Sequence, residues 1–219
     1  MQNSLLTGEA LSKLGQFQGA HSLRQGVYQL FLRDTTVYIG KAANVRARLE
    51  QHWEKLRGRR NLNIREIFFK CLILHRNWTP VTNEGLLISH YQAKGECKWN
   101  GAGFGPKDVG SVRDDSQPNW FDINYPINDE WPCEGVGDHE AVGTLLANLK
   151  EQLPFTFRFK VSPEDAARIL DLRSVRRVAR ELIVETARTL GPDWHGTLFK
   201  SHITLYPSNR TYQYGVRLQ

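Results

Sequence analysis

Residues 26–40, GVYQLFLRDTTVYIG, restrict the fold more than any other part of the chain. Two runs rich in β-branched and aromatic residues, 26–33 and 36–40, are separated only by Asp34-Thr35, which predicts an antiparallel hairpin. In residues 43–57, Val45, Leu49, Trp53 and Leu56 recur at helical spacing. Residues 66–75, EIFFKCLILH, read as a long apolar strand. Thr79-Pro80 opens a second helix, because proline suits the first helical position, and its apolar stripe is Leu87, Ile88 and Tyr91. Strand, strand, helix, strand, helix describes a small sheet with helices packed on it, a unit of about 80 residues.

Around this unit the pattern predicts further elements. Residues 4–14 read as a short amphipathic helix, the core of an N-terminal helical arm over 1–24. The stretch 106–138 is rich in Gly, Pro and Asp and reads as a long ordered loop with Trp120 and Trp131. Residues 139–150 read as a helix and 155–161 as an alternating strand. Ser162-Pro163-Glu164-Asp165 has the cap, proline and acids of a helix start, and Gly191-Pro192 a stop, so a helix is expected over 162–190, either continuous or interrupted near Ser174. Residues 197–206 and 211–218 read as two strands. The expected class is α/β in the broad sense (α+β): a small antiparallel sheet flanked by helices over 25–105, with a C-terminal α/β extension over 139–219.

Composition excludes several classes. The 219 residues are 40% hydrophobic and 24% charged, as in ordinary globular chains. No apolar run approaches the ~20 residues of a membrane helix. Met1 to Leu14 carries Glu9 and no secretory pattern, which predicts a cytoplasmic protein with no membrane partner. The three cysteines, Cys71, Cys97 and Cys133, form no CxxC and suit neither a disulfide framework nor a zinc site. Residues 1–80 hold 13 basic and 5 acidic residues, 81–150 hold 5 and 11, and 151–219 hold 11 and 7. Two basic segments therefore flank an acidic one, a distribution suited to a polyanion such as nucleic acid.

One constellation carries chemistry. Tyr28 and Tyr38 each adjoin a glycine near a strand end, and Lys41 follows the second strand. Arg48 and His52 stand four apart and share a helix face distinct from the stripe of Val45, Leu49 and Trp53. Glu84 precedes Leu87, Ile88 and Tyr91 by three, four and seven residues, which puts a carboxylate on the apolar side of its helix. Phosphodiester hydrolysis uses such a set. A carboxylate holds a hard divalent cation, a guanidinium stabilises the phosphoryl oxygens, and a Tyr or His takes the proton of the attacking water. A tyrosine needs a cationic neighbour for that task, and Lys41, Arg48 or His52 can provide it.

With GVY, Tyr38 ten residues after Tyr28, YIGK, R-x-x-x-H, a later Glu and Trp-Asn in this order, residues 25–105 resemble the GIY-YIG nuclease superfamily. The resemblance implies a Mg²⁺- (or Mn²⁺-) dependent endonuclease. It implies Tyr28 as candidate general base, Tyr38 as the positioner of phosphate or water, and Arg48 as the contact to the scissile phosphate. Glu84 would be the metal ligand, Asn100 a support of the site, and His52 a second helix position that is catalytic in some branches. Lys41 follows YIG as in many members, and Val27 stands where the motif has isoleucine. NEGLLISHY, WNGAGFG, Asp108 and Trp-Phe-Asp are similar to GIY-YIG restriction endonucleases that cut a GC-rich palindrome. Four extra residues separate Glu84 from Trp99-Asn100, and the C-terminal segment differs, so the recognition sequence is not carried over.

Double-stranded DNA is the partner these features imply, with a homodimer favoured because one metal carboxylate cuts one strand. The basic cluster Arg57, Arg59 and Arg60, and the stripe Arg173, Arg176, Arg177 and Arg180 on the expected helix, are candidate phosphate contacts. Lys107, Arg113, Gln117 and Asn119 are candidate contacts from the loop, where such side chains pair with base edges. Two other readings stand beside restriction: a repair or mobile-element nuclease acting on nicked or branched DNA, and a DNA-binding module without catalysis. His195-Gly-Thr197 and His202-Ile-Thr204 imitate the paired motifs of RNA phosphoesterases, but seven residues apart they do not face each other across one pocket.

Overall fold

The structure is a computed structural model that describes residues 3–75, 88–105, 110–208 and 210–218, and every statement below concerns these residues. Thr79-Pro80, Glu84, Leu87, Lys107 and Asp108 lie outside them. The fold is mixed α+β. The chain divides into two compact units, 1–57 with 61–106, and 58–60 with 107–219. Among the described residues no helix is long and apolar enough to cross a membrane.

The first unit is built on a four-stranded antiparallel sheet. Its strands are β1 (Ser4–Leu5), β2 (Gly26–Leu32), β3 (Thr35–Ala42) and β4 (Ile67–Ile73), in the order β1-β4-β2-β3. The hairpin turn is Arg33-Asp34, one residue earlier than expected, and Thr35 already pairs with Leu32. Arg33 takes a left-handed φ of 55°, uncommon for a side chain of its size. Glu66 holds it there: its carbonyl accepts from the Arg33 amide at 2.8 Å, and its carboxylate from Arg33 Nε at 3.0 Å.

Helix α1 (Gly8–His21) starts later than the sequence pattern suggests, because the Thr7 side chain caps it by accepting from the Ala10 amide. The residues before it are drawn into the sheet, where Ser4 pairs with Phe69. Helix α2 (Val45–Arg57) lies against α1, and a β-carbon at Gly15 would stand 2.8 Å from Arg46 Cδ. Its buried residues are Val45, Leu49, His52 and Leu56. This corrects the expected stripe: His52 is buried, whereas Trp53 is partly exposed beneath the Arg57 guanidinium. Residues 88–92 are helical, and Ile88 and Tyr91 pack against Val27, Ile39, Leu74 and Cys97.

Strand β3 is the margin of this sheet, and residues 96–100 close it. The Cys97 and Trp99 amides donate to the carbonyls of Thr36 and Val37 at 2.7 and 2.9 Å. The Thr36 amide donates to the Glu96 carboxylate at 3.1 Å. Asn100 accepts from the Ile39 amide at 2.9 Å and donates to its carbonyl at 2.8 Å.

The second unit departs further from the expected pattern. Its elements are α3 (Trp120–Asn124), β5 (His139–Ala141), α4 (Val142–Gln152), β6 (Thr156–Phe159), α5 (Pro163–Ala166), β7 (Ile169–Asp171), α6 (Ala179–Leu190), β8 (Trp194–Leu198), β9 (His202–Pro207) and β10 (Val216–Arg217). The helix expected over 162–190 is two helices with a strand between them. That strand, β7, pairs with β5, whose residues the sequence pattern reads as a helix start. The 197–206 strand is likewise a hairpin, β8 and β9, that places Thr197 opposite Thr204 and His195 opposite Tyr206, so the two His-x-Thr motifs, expected not to face each other, stand on adjacent paired strands. The sheet order is β10-β8-β9-β6, with β6 and β9 parallel. Helix α6 covers one face so closely that a β-carbon at Gly196 would lie 2.9 Å from Ile183 Cγ2. Leu145, Leu149, Leu170, Leu182, Ile203 and Leu205 share the core beneath it. Buried charges in this unit are paired. Asp122 takes both Arg59, at 2.8 Å, and Arg113, and Asp114 takes Arg158 and, at 2.8 Å, His202.

Candidate active site

Pairing of β2 with β3 sets Tyr28 opposite Gly40 and Leu30 opposite Tyr38, so the two phenols project from one face of the sheet. Their ring centroids are 6.1 Å apart. Helix α2 lays His52 against both, with centroids 5.5 Å from Tyr28 and 5.4 Å from Tyr38. Tyr28 Oη and His52 Nε2 are 2.8 Å apart, a buried hydrogen bond. The glycines of the motifs have a steric reason. A β-carbon at Gly40 would meet Tyr28 Oη at 2.5 Å, and one at Gly105 would meet Tyr38 Oη at 2.7 Å.

Burial decides the protonation of the central pair. Tyr28 is 1% exposed, and burial, then the neighbouring Tyr38, pushes its phenol above the ordinary value of 10.0, against a downward pull from Arg48. Burial also holds His52 well below 6.5, and the Arg48 and Lys55 cations on its own helix push the same way. At neutral pH the pair is thus a neutral phenol and a neutral imidazole.

Arg48 reaches the same place from α2, where its Nη2 donates to the Gly105 carbonyl at 2.7 Å and its Nη1 to Gln51 at 2.9 Å. Asn100 clamps Ile39 through both of its side-chain hydrogen bonds, which fixes the backbone between Tyr38 and Gly40. Lys41 pairs with Val27, one register step past Gly40, and so leaves the sheet on the face opposite the tyrosines. Glu84, the expected metal ligand, lies outside the described residues. The groups gathered here are two phenols, an imidazole and two cations.

Two participants escaped the sequence reading. Phe104 stacks on His52 with centroids 4.6 Å apart and 20° between the planes. Lys55 donates to the Phe104 carbonyl at 2.7 Å. Lys55 had a signal, because Arg48, His52 and Lys55 fall at i, i+4 and i+7 on one helix face. Phe104 lies in the WNGAGFG run that resembles restriction endonucleases, but no spacing in that run marks it as a neighbour of His52.

The candidate DNA contacts are not gathered into a stripe. Arg173, Arg176 and Arg177 lie between β7 and α6, and only Arg180 is on a helix, so the expected helical row does not form. Each pairs with a carboxylate: Arg173 with Asp171, Arg176 with Glu181, Arg177 with Asp138 and Arg180 with Asp129. Arg57 pairs with Glu54, and Arg60 with Asp129. Arg59 is buried on Asp122 and the Tyr125 carbonyl, and it serves the interior of the second unit rather than its surface. Arg113 is drawn to the same Asp122, and the Asn119 carbonyl oxygen caps α3. Lys107 lies outside the described residues. A comparison with family models gives no match, and a comparison with curated proteins gives none either.

Proposed function

We propose that this protein is a Mg²⁺-dependent DNA endonuclease that hydrolyses phosphodiester bonds at a specific site, in the manner of a Type II restriction enzyme acting as a homodimer. The observation that carries this reading is the buried Tyr28–His52 hydrogen bond, with Tyr38 and Arg48 beside it. Neither partner is a strong base in its resting form. Together they form a relay: the phenol oxygen takes a proton from the attacking water as it passes its own to His52 Nε2. The product state, a neutral tyrosine and an imidazolium, is reached without a free phenolate. Arg48 exchanges the Gly105 carbonyl for a phosphoryl oxygen, and its fork neutralises charge that develops there. Glu84 would hold the Mg²⁺, which when bound stabilises charge on the leaving oxygen.

The test is cleavage of unmethylated phage DNA with Mg²⁺ by the wild type, Glu84→Ala and Tyr28→Phe. Discrete bands from the wild type, lost in both variants, support the reading. Nicks or a preference for forked DNA turn it toward a repair or mobile-element nuclease. A gel shift without any cutting leaves a binding module.

A further inference from the structure

Residues 101–105 form a strap that passes between Tyr38 of β3 and the His52 side of α2. Phe104 is 1% exposed, and its ring lies nearly parallel to the His52 imidazole. The same ring meets Tyr38 edge-on, with centroids 5.0 Å apart and 77° between the planes, and contacts Trp99 at 5.0 Å. Two cations of α2 anchor the strap. Lys55 Nζ donates to the Phe104 carbonyl, and Arg48 Nη2 to the Gly105 carbonyl, each at 2.7 Å. Lys55 Nζ also stands 5.2 Å from the Phe104 ring centroid. A flat ring face against an imidazole blocks rotation out of the Tyr28 hydrogen bond. A smaller aliphatic side chain loses that flat contact and leaves space beside the imidazole.

We propose that Phe104 is a positioning residue: its ring face holds the His52 imidazole with Nε2 on the Tyr28 hydroxyl, and the Phe104 carbonyl, held by Lys55, ties that platform to the helix bearing His52. The proposal rests on the nuclease reading. Phe104 acts through His52 and touches no reacting atom. The charged and titratable groups that face His52 are Tyr28 from β2, Tyr38 from β3, and Arg48 and Lys55 from α2.

Single-turnover cleavage at saturating DNA, with dissociation constants measured in Ca²⁺, tests it for wild type, Phe104→Leu, His52→Ala and the double variant. Phe104→Leu is expected to cut about 10- to 100-fold more slowly, as misplaced catalytic groups do, with binding changed less than about twofold. The double variant is expected to be no slower than His52→Ala, because residues acting in series are not additive. A Phe104→Leu loss that multiplies onto His52→Ala, or that appears only in DNA binding, overturns the proposal. The ¹⁵N spectrum of the His52 side chain reads the ring without activity. It should show one neutral tautomer in the wild type and an average of two in Phe104→Leu. A wild type that never cuts overturns the nuclease reading alone, and an unchanged spectrum in Phe104→Leu overturns this proposal alone. Phe104→Met, whose unbranched side chain adapts to the vacated space, carries the same expectations if Phe104→Leu does not fold.

Discussion

Gly40 faces the Tyr28 hydroxyl so closely that a β-carbon there would lie 2.5 Å from the phenol oxygen and 2.6 Å from Cζ. Tyr28 has little room to yield, since its other side is filled by His52 and Tyr38. Gly40→Ala should therefore push the phenol off Nε2 and lower the cleavage rate by about 100-fold, with far less effect on DNA affinity. Gly105→Ala is the milder case, because the contact is to the end of the half-buried Tyr38. Cleavage rates of the two variants side by side check the order. Equal rates for Gly40→Ala and wild type would show that the phenol position does not matter.

His52 sets a pH dependence of stability. Its folded value lies well below 6.5, so below that pH the unfolded chain binds a proton that the folded chain refuses. The contribution is fully present above 6.5, and stability falls on acidification through the window beneath it. The slope approaches about 1.4 kcal/mol per pH unit for one proton. Urea unfolding of the first unit between pH 5 and 7 should show this slope, and His52→Asn should flatten it. A wild-type slope retained in the variant would assign the proton to another group.

Arg59 and Asp122 form a pair in which both side chains are almost wholly enclosed, at 2.8 Å. Removing one partner strands the other charge in the interior. Asp122→Ala should lower the stability of the second unit by about 3–5 kcal/mol. Arg113→Ala, which removes the more exposed partner of the same carboxylate, should cost about 1–2 kcal/mol. Denaturant midpoints of the two variants measure the difference.

Asn100 satisfies both the backbone N–H and the backbone carbonyl of Ile39. Asn100→Ala leaves a buried amide without its partner, at about 1–3 kcal/mol. Asn100→Asp keeps an acceptor for the amide and sets an anion against the carbonyl, so it should not restore stability. A thermal scan of the three proteins distinguishes the clamp from simple loss of volume.

Where the fold was legible, local pattern and tertiary structure agree. The 26–40 hairpin, α2 and β4 carry their own periodicity. The second unit misled because β5 and β7 are strands only by virtue of pairing with each other, His139 with Asp171 and Ala141 with Ile169. No local window contains both. The row of Arg173, Arg176, Arg177 and Arg180 imitated a helix face, yet each guanidinium is turned to a nearby carboxylate. At the candidate site the tyrosines, Arg48 and His52 could be picked out by type and spacing. The burial of His52 could not, because it depends on Phe104, which is 52 positions further along the chain and lies in a loop without period.

The closed margin of β3 also governs how the first unit behaves when crowded. Open amides and carbonyls along a sheet edge are a template for foreign strands and a seed of fibrillar deposits. Here Glu96, Cys97, Trp99 and Asn100 already occupy the groups of Thr36, Val37 and Ile39 that an incoming strand would need. The opposite margin is β1, only two residues long. Along β3, copies that meet do so through side chains rather than by merging sheets, and merging at this edge requires a molecule whose 96–100 segment has peeled away.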